Sequence, residues 1–168
     1  MSGPAVGIPA RRSVKPFRAQ QQLAHHQQRP PLADEFFIEA PAGLDRVAKQ
    51  RMMREVTAAI DEAFRMPDVR VWLRDYDADN VAQDGDIGGV PVRPVCFLEA
   101  PELADLDAKR TMAGKLHAAI HAAYGEIADT DETLVLMNHY PLENAGWAGR
   151  LQSDNAEAVA HIDQLNAR

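Results

Sequence analysis

The sequence predicts an α+β fold of two tandem β-α-β units, with a four-stranded mixed sheet and two helices packed on one of its faces. Three observations carry this. Residues 31–64 return without a gap as residues 91–124, with thirteen identities in thirty-four positions, among them Phe37/Phe97, Glu39/Glu99, Lys49/Lys109, Met52/Met112 and Ile60/Ile120. Within each copy the apolar pattern passes from a short run to a helical period and back to a run. Finally, several of those runs are apolar at consecutive residues, as expected of strands covered on both faces.

Residues 36–39 are a short aromatic and apolar run closed by Ala40-Pro41, where a proline makes continuation of a ladder difficult. Val47, Met52 or Met53, Val56, Ile60 and Phe64 then recur at helical spacing, with Lys49, Arg54, Glu55, Asp61 and Glu62 on the other side. This predicts an amphipathic helix of about five turns, ended by Pro67. Residues 69–73 are a β-branched and aromatic strand, and Gly85, Gly88 and Gly89 supply a turn before Pro91 opens the second copy. There, residues 95–99 are the first strand, Met112, Leu116, Ile120 and Tyr124 mark the helix face, and residues 133–137 are the second strand. Gly125-Glu126-Ile127-Ala128 shifts the offset between copies from 60 to 64.

Crossovers within each unit place both helices on one sheet face and leave the other open. Yet Leu134-Val135-Leu136-Met137 and Val95-Cys96-Phe97-Leu98 are apolar on both sides. A core of this length has no second layer of its own, so self-association through the open face is expected. Residues 1–30 differ in composition: Arg11, Arg12, Lys15, Arg18 and Arg29 face no acidic residue before Asp34, and prolines and a Gln20-Gln21-Gln22 run discourage packing. The organisation expected is a basic disordered tail over 1–30 and one domain over 31–168, with units 31–90 and 91–150 and a C-terminal segment 151–168. With five positive charges in the tail and a net charge of −7 overall, residues 31–168 carry about −12, which argues against a nucleic-acid partner. No apolar stretch suits a signal peptide or membrane helix, and the single Cys96 fits a reducing compartment, so a cytoplasmic location without a membrane partner is expected.

Further spacings point to a family. Pro31 lies eight residues before Glu39 and Pro91 eight before Glu99; the first helix carries Arg54-Glu55-Val56, the next strand Val69-Arg70-Val71, and the turn after it Ile87-Gly88-Gly89. Over residues 31–150 the chain resembles the tautomerase superfamily, whose β-α-β unit begins with a catalytic proline, as in 4-oxalocrotonate tautomerase. Two fused units ending near Gly149-Arg150 look like the long members, similar to cis-3-chloroacrylic acid dehalogenase and malonate semialdehyde decarboxylase. The resemblance implies a homotrimer with helices outside and sheets inside. It also implies cofactor-independent tautomerase or isomerase chemistry on a small anionic carbonyl or 2-oxo acid.

By that resemblance Pro31 is the base and Arg70 the clamp on a substrate carboxylate, a contact a guanidinium makes with two hydrogen bonds. An N-terminal proline is a secondary amine fit for general-base work, whereas an internal one is a tertiary amide with no basic lone pair. With residues 1–30 attached, Pro31 is internal. Either the chain is processed between Pro30 and Pro31, or another group is the base, or the protein is a non-catalytic oligomeric binding or scaffold protein. The family's arginines after the first strand are missing, since Ala40-Pro41-Ala42 and Glu99-Ala100-Pro101 stand there, which counts against dehalogenation. Arg93 is a candidate substitute. His139 can shuttle a proton or serve structurally, Trp147 can wall a pocket, and Tyr76, matching Tyr140, can donate to an enolate oxygen. His117 and His121 have the spacing of a metal pair but no third ligand, and Asp77, Asp79, Asp84 and Asp86 lack the spacing of a calcium loop, so no metal is expected.

Overall fold

The computed structural model describes residues 32, 34–65, 68–87 and 92–167; residues 1–30, Pro31, Pro67, Gly88, Gly89 and Pro91 lie outside the described residues. Both copies form the same unit. In the first, strand β1 (Asp34–Pro41) leads to helix α1 (Arg46–Phe64) and strand β2 (Val69–Tyr76). A short hairpin follows, β3 (Ala82–Gln83) with β4 (Asp86–Ile87). In the second, β5 (Val95–Pro101), α2 (Leu106–Tyr124) and β6 (Leu134–Tyr140) precede the hairpin of β7 (Gly146–Trp147) and β8 (Arg150–Leu151).

Four strands form one sheet in the order β2-β1-β5-β6. β1 pairs parallel with β2, β5 parallel with β6, and β1 with β5 antiparallel. In that central ladder Phe37 faces Phe97, its own counterpart in the other copy, so a local two-fold axis passes between them. Alternation along β1 and β5 buries Phe36, Ile38, Ala40, Cys96, Leu98 and Ala100 against the helices. α1 returns Met52, Val56, Ile60 and Phe64, and α2 returns Met112, Leu116, Ile120 and Tyr124, to the same core. Asp45 and Asp105 occupy one position of the repeat and cap the two helices alike: each side chain accepts from the backbone N–H groups two and three residues on.

Three local expectations are revised. Val47 is 75% exposed, because five helical residues before Met52 is a rotation off the buried stripe; the second copy has Asp107 at that position. β1 runs through Pro41, which pairs with Tyr76, because the ladder with β5 has already ended at Glu39 and Val95 and no partner there needs a donor. Residues 151–168 hold a third helix, α3 (Ala156–Asn166), capped by Asn155 and burying Ala158, Ile162 and Leu165 in the common core. Asn166 accepts from Ala104 N–H at 2.8 Å and donates to the Glu102 carbonyl at 2.9 Å, and the His161 ring lies 3.0 Å from the Phe64 carbonyl, so α3 is tied to both copies.

The open face of the sheet mixes apolar and charged rows. Trp72, Phe37, Phe97 and Leu136 form one row, with Phe37 stacked on Trp72 at 6.3 Å and the Arg74 guanidinium 4.5 Å above Phe37. Trp72 and Leu136 remain 48% and 41% exposed. On β6, Val135 and Met137 pack against the core while Leu134 and Leu136 look the other way, as their consecutive apolar character requires.

The hairpins extend the repeat beyond what identities reveal. Asp84-Gly85 and Ala148-Gly149, 64 residues apart, all have positive φ, 52° and 94° in one and 49° and 82° in the other, as a type I′ turn demands. A side chain with a Cβ is strained in that region by roughly 1–2 kcal/mol. Ala148→Gly should therefore raise the unfolding free energy by about 0.5–1 kcal/mol, seen as a higher urea midpoint with an unchanged slope; a lower midpoint would show that the turn is not strained.

Candidate active site

At the end of the sheet where β1 starts, the helix-facing side is polar. Asp34, the first residue of β1, is 1% exposed, and neither of its carboxyl oxygens has a hydrogen-bond partner. Its own backbone N–H donates to the Asp68 carbonyl at 3.3 Å, which fixes the start of the strand. Burial, then the charges of Asp61, Asp68 and Glu35, push the carboxyl up to about 7. At the same end, two strands away on β6, the His139 Nδ1–H donates to the Pro101 carbonyl at 2.9 Å, since a carbonyl only accepts. That bond leaves Nε2, buried and unpartnered, as the acceptor, with the ring 6.4 Å from Phe64. Burial and Asp34 raise the next residue, Tyr140, to about 12, against the pull of a hydrogen bond from Gln152, whose side chain is 97% buried by its 3% exposure.

On the open side of the same end, Arg70 is already paired. Its guanidinium donates to Glu35 at 3.1 Å and lies 6.0 Å from the Trp72 ring, whose indole N–H also donates to Glu35. Arg74 and Glu39 make a second such pair at 2.9 Å, and Asn138 donates to Glu99 at 2.6 Å. The Arg70 side chain is 56% exposed, a setting in which an ion pair is worth about 1 kcal/mol or less.

Tyr76 and Arg93 stand elsewhere. Tyr76 pairs with Pro41 at the far end of β1, seven strand positions from Asp34, or roughly 23 Å at the usual rise per residue. Burial first, and Glu39 second, raise its phenol. Arg93 precedes β5 at that same end and sits 3.9 Å from Glu132. Within one chain, then, Arg70 and His139 share an end of the sheet that Tyr76 and Arg93 do not reach. Trp147 faces Arg150 across the hairpin after β6. Pro31 lies outside the described residues; Leu32, its neighbour in sequence, is buried.

No protein-family model matches the sequence, and no curated protein does. Solved structures do. A wild-type fused 4-OT in an asymmetric trimer superposes with a TM-score of 0.64 at 20% identity, over 71% of this chain and 97% of that one. Pt0534 inactivated by 2-oxo-3-pentynoate gives 0.63 at 19%, over 71% and 98%. N1, a member of the cis-3-chloroacrylic acid dehalogenase family, gives 0.58 at 16%, over 70% and 82%. The chain shares the fold of fused 4-OT. The matched 71% of 168 residues, about 119, is close to the length of the two repeat units.

Within this tautomerase fold the two helical histidines are structural: His117 Nε2 meets the Thr130 carbonyl at 3.1 Å and His121 Nδ1 the Thr130 hydroxyl at 2.7 Å. Among the described residues no three side chains of the metal-binding types group together. Sequence reading missed Asp34 and Gln152. The one readable sign was an acid placed two residues before an aromatic strand at a position that alternation buries. Asp34 also generates a prediction. Its folded pKa of about 7 exceeds the model-peptide 3.8, so the folded chain holds the extra proton between those values, and the group's contribution to stability falls as pH rises through that window. Asp34→Asn should thus stabilise the protein by up to about 4 kcal/mol at pH 8 and by almost nothing at pH 4. Urea unfolding at both pH values tests this; an equal gain at each would show that ionisation is not the cost.

Proposed function

We propose that this chain is a cofactor-independent tautomerase-type enzyme acting on a small carbonyl or 2-oxo acid, with Pro31 as its base once cleavage after Pro30 makes that residue N-terminal. The observation that supports it most is the joint one: a fold shared with fused 4-OT, and a polar cluster of Asp34, His139, Tyr140 and Gln152 at the very end of the sheet where β1 begins. A free proline amine is mostly protonated at neutral pH when its pKa is ordinary; desolvation or a nearby cation lowers that pKa toward neutrality and frees the amine to take a proton from the carbon beside a carbonyl and return it elsewhere. The enolate oxygen formed in between needs a donor, and a tyrosine held well above its usual pKa keeps its proton for that purpose. Arg70 joins in this reading by exchanging Glu35 for the substrate carboxylate. Tyr76 and Arg93 contribute only if a neighbouring copy brings its opposite end to the site.

A second reading follows from one fact of the sequence: in the chain as it stands Pro30 is bonded to Pro31, whose nitrogen is an amide. Uncut, the protein would be a tautomerase-fold binding or scaffold protein. The row of half-buried Phe37 and Phe97 between exposed Trp72 and Leu136 favours self-association in either case, and fused 4-OT forms trimers.

Two measurements test this. Light scattering on the full chain at micromolar concentration should give three copies; a monomer would remove the argument from the open face. The chain cut to begin at Pro31 should be labelled on that residue by 2-oxo-3-pentynoate, and should accelerate exchange of the C3 protons of a 2-oxo acid, while the uncut chain does neither. Equal activity of cut and uncut chains would show that another group is the base.

A further inference from the structure

Between the β7–β8 hairpin and the start of α3 lies a cavity of about 730 Å³, within the range of small-molecule sites. Trp147, Arg150, Leu151, Gln152, Asp154 and Glu157 line it. Three features make it more than a surface recess. Arg150 has no carboxylate within ion-pair distance among the described residues, whereas Arg70 is occupied by Glu35. Gln152, which lines the cavity, is 3% exposed and its amide engages Tyr140, so the cavity wall abuts the polar end of the sheet. And the residues that line it are peculiar to one copy: at the offset of 64, Trp147 corresponds to Gln83, Arg150 to Asp86 and Gln152 to Gly88, while the first copy runs into β5 at the offset where α3 stands in the second. One hairpin thus carries an aromatic wall and a cation that no described carboxylate pairs, and its twin carries neither an aromatic nor a cation.

We infer that this cavity is the anchoring subsite for substrate, with Arg150 gripping the carboxylate of a small 2-oxo monocarboxylic acid whose apolar chain lies against Trp147 and Leu151. Arg150 faces Trp147 across the hairpin, so the charged group and the apolar wall act on one ligand. Asp154 and Glu157 stand at the rim, exposed, where they repel a second negative charge. The preference is therefore for one carboxylate over two. This deepens the reading proposed above, on which it rests for the identity of the ligand as substrate, and moves the principal carboxylate contact from Arg70 to Arg150.

The test compares 2-oxohexanoate with 2-oxohexanedioate, which differ only by a terminal carboxylate, in calorimetric titrations of the full chain. 2-Oxohexanoate should bind at least tenfold more tightly. Arg150→Gln should weaken that binding roughly tenfold or more while Arg150→Lys retains part of it, and Arg70→Gln should change it little. Asp154→Asn with Glu157→Gln should narrow the gap between the two acids by improving the larger one. Circular dichroism confirms that each variant is folded. No binding by the parent, an unchanged Arg150→Gln, or a loss confined to Arg70→Gln overturns the assignment. Binding that follows this pattern without turnover by the chain cut at Pro31 leaves the subsite standing and rejects the enzyme reading; turnover that ignores Arg150 does the reverse.

Discussion

The antiparallel ladder between β1 and β5 is the constraint on which the rest depends. It joins the two units, and its register sets Phe37 opposite Phe97 and thereby sends Phe36, Ile38, Cys96 and Leu98 to the helices. A slip of one residue would turn every one of those side chains to the open face and bring Glu35, Glu39 and Glu99 under the helices. The cost of burying those charges makes the register close to unique. Once it is set, each parallel neighbour follows from its own crossover helix, and the two ends of the sheet are determined.

Those ends are unlike although the repeat made them alike. At one, the position of the first unit's Asp34 is taken in the second by Pro94, and Asp75 stands paired with Lys49. At the other, Asp34, His139 and Gln152 leave several buried polar atoms without partners, while at the first the Tyr124 hydroxyl is likewise unpartnered. Unsatisfied buried groups are costly, and a fold keeps them where something else depends on them.

Much of the fold was legible because the repeat doubles every signal. Each helix stripe, each Asp cap and each aromatic strand was seen twice, so Met52 and Met112 or Ile60 and Ile120 vouched for one another. What had no second copy was missed: α3, whose Ala158, Ile162 and Leu165 recur at helical spacing behind Asn155, has no twin to compare. The end of β1 was drawn short because Pro41 read as a stop, and only the position of the neighbouring ladder shows why it is tolerated. At the site, single residues such as Arg70 were readable as types but not as partners. That Glu35 occupies Arg70, and that nothing described occupies Arg150, are facts of register and hairpin placement that composition does not hold.

The local two-fold axis through Phe37 and Phe97 has a consequence for how this molecule can change. In an assembly of identical single units, a substitution in one hairpin appears in every hairpin, so a new contact must suit all of them at once. Joining two units end to end removes that coupling and also makes their association independent of dilution, because the partner is always at hand. Gln83 and Trp147, or Asp86 and Arg150, are what such freedom permits. Half of the sequence can hold the architecture while the other half is free to change.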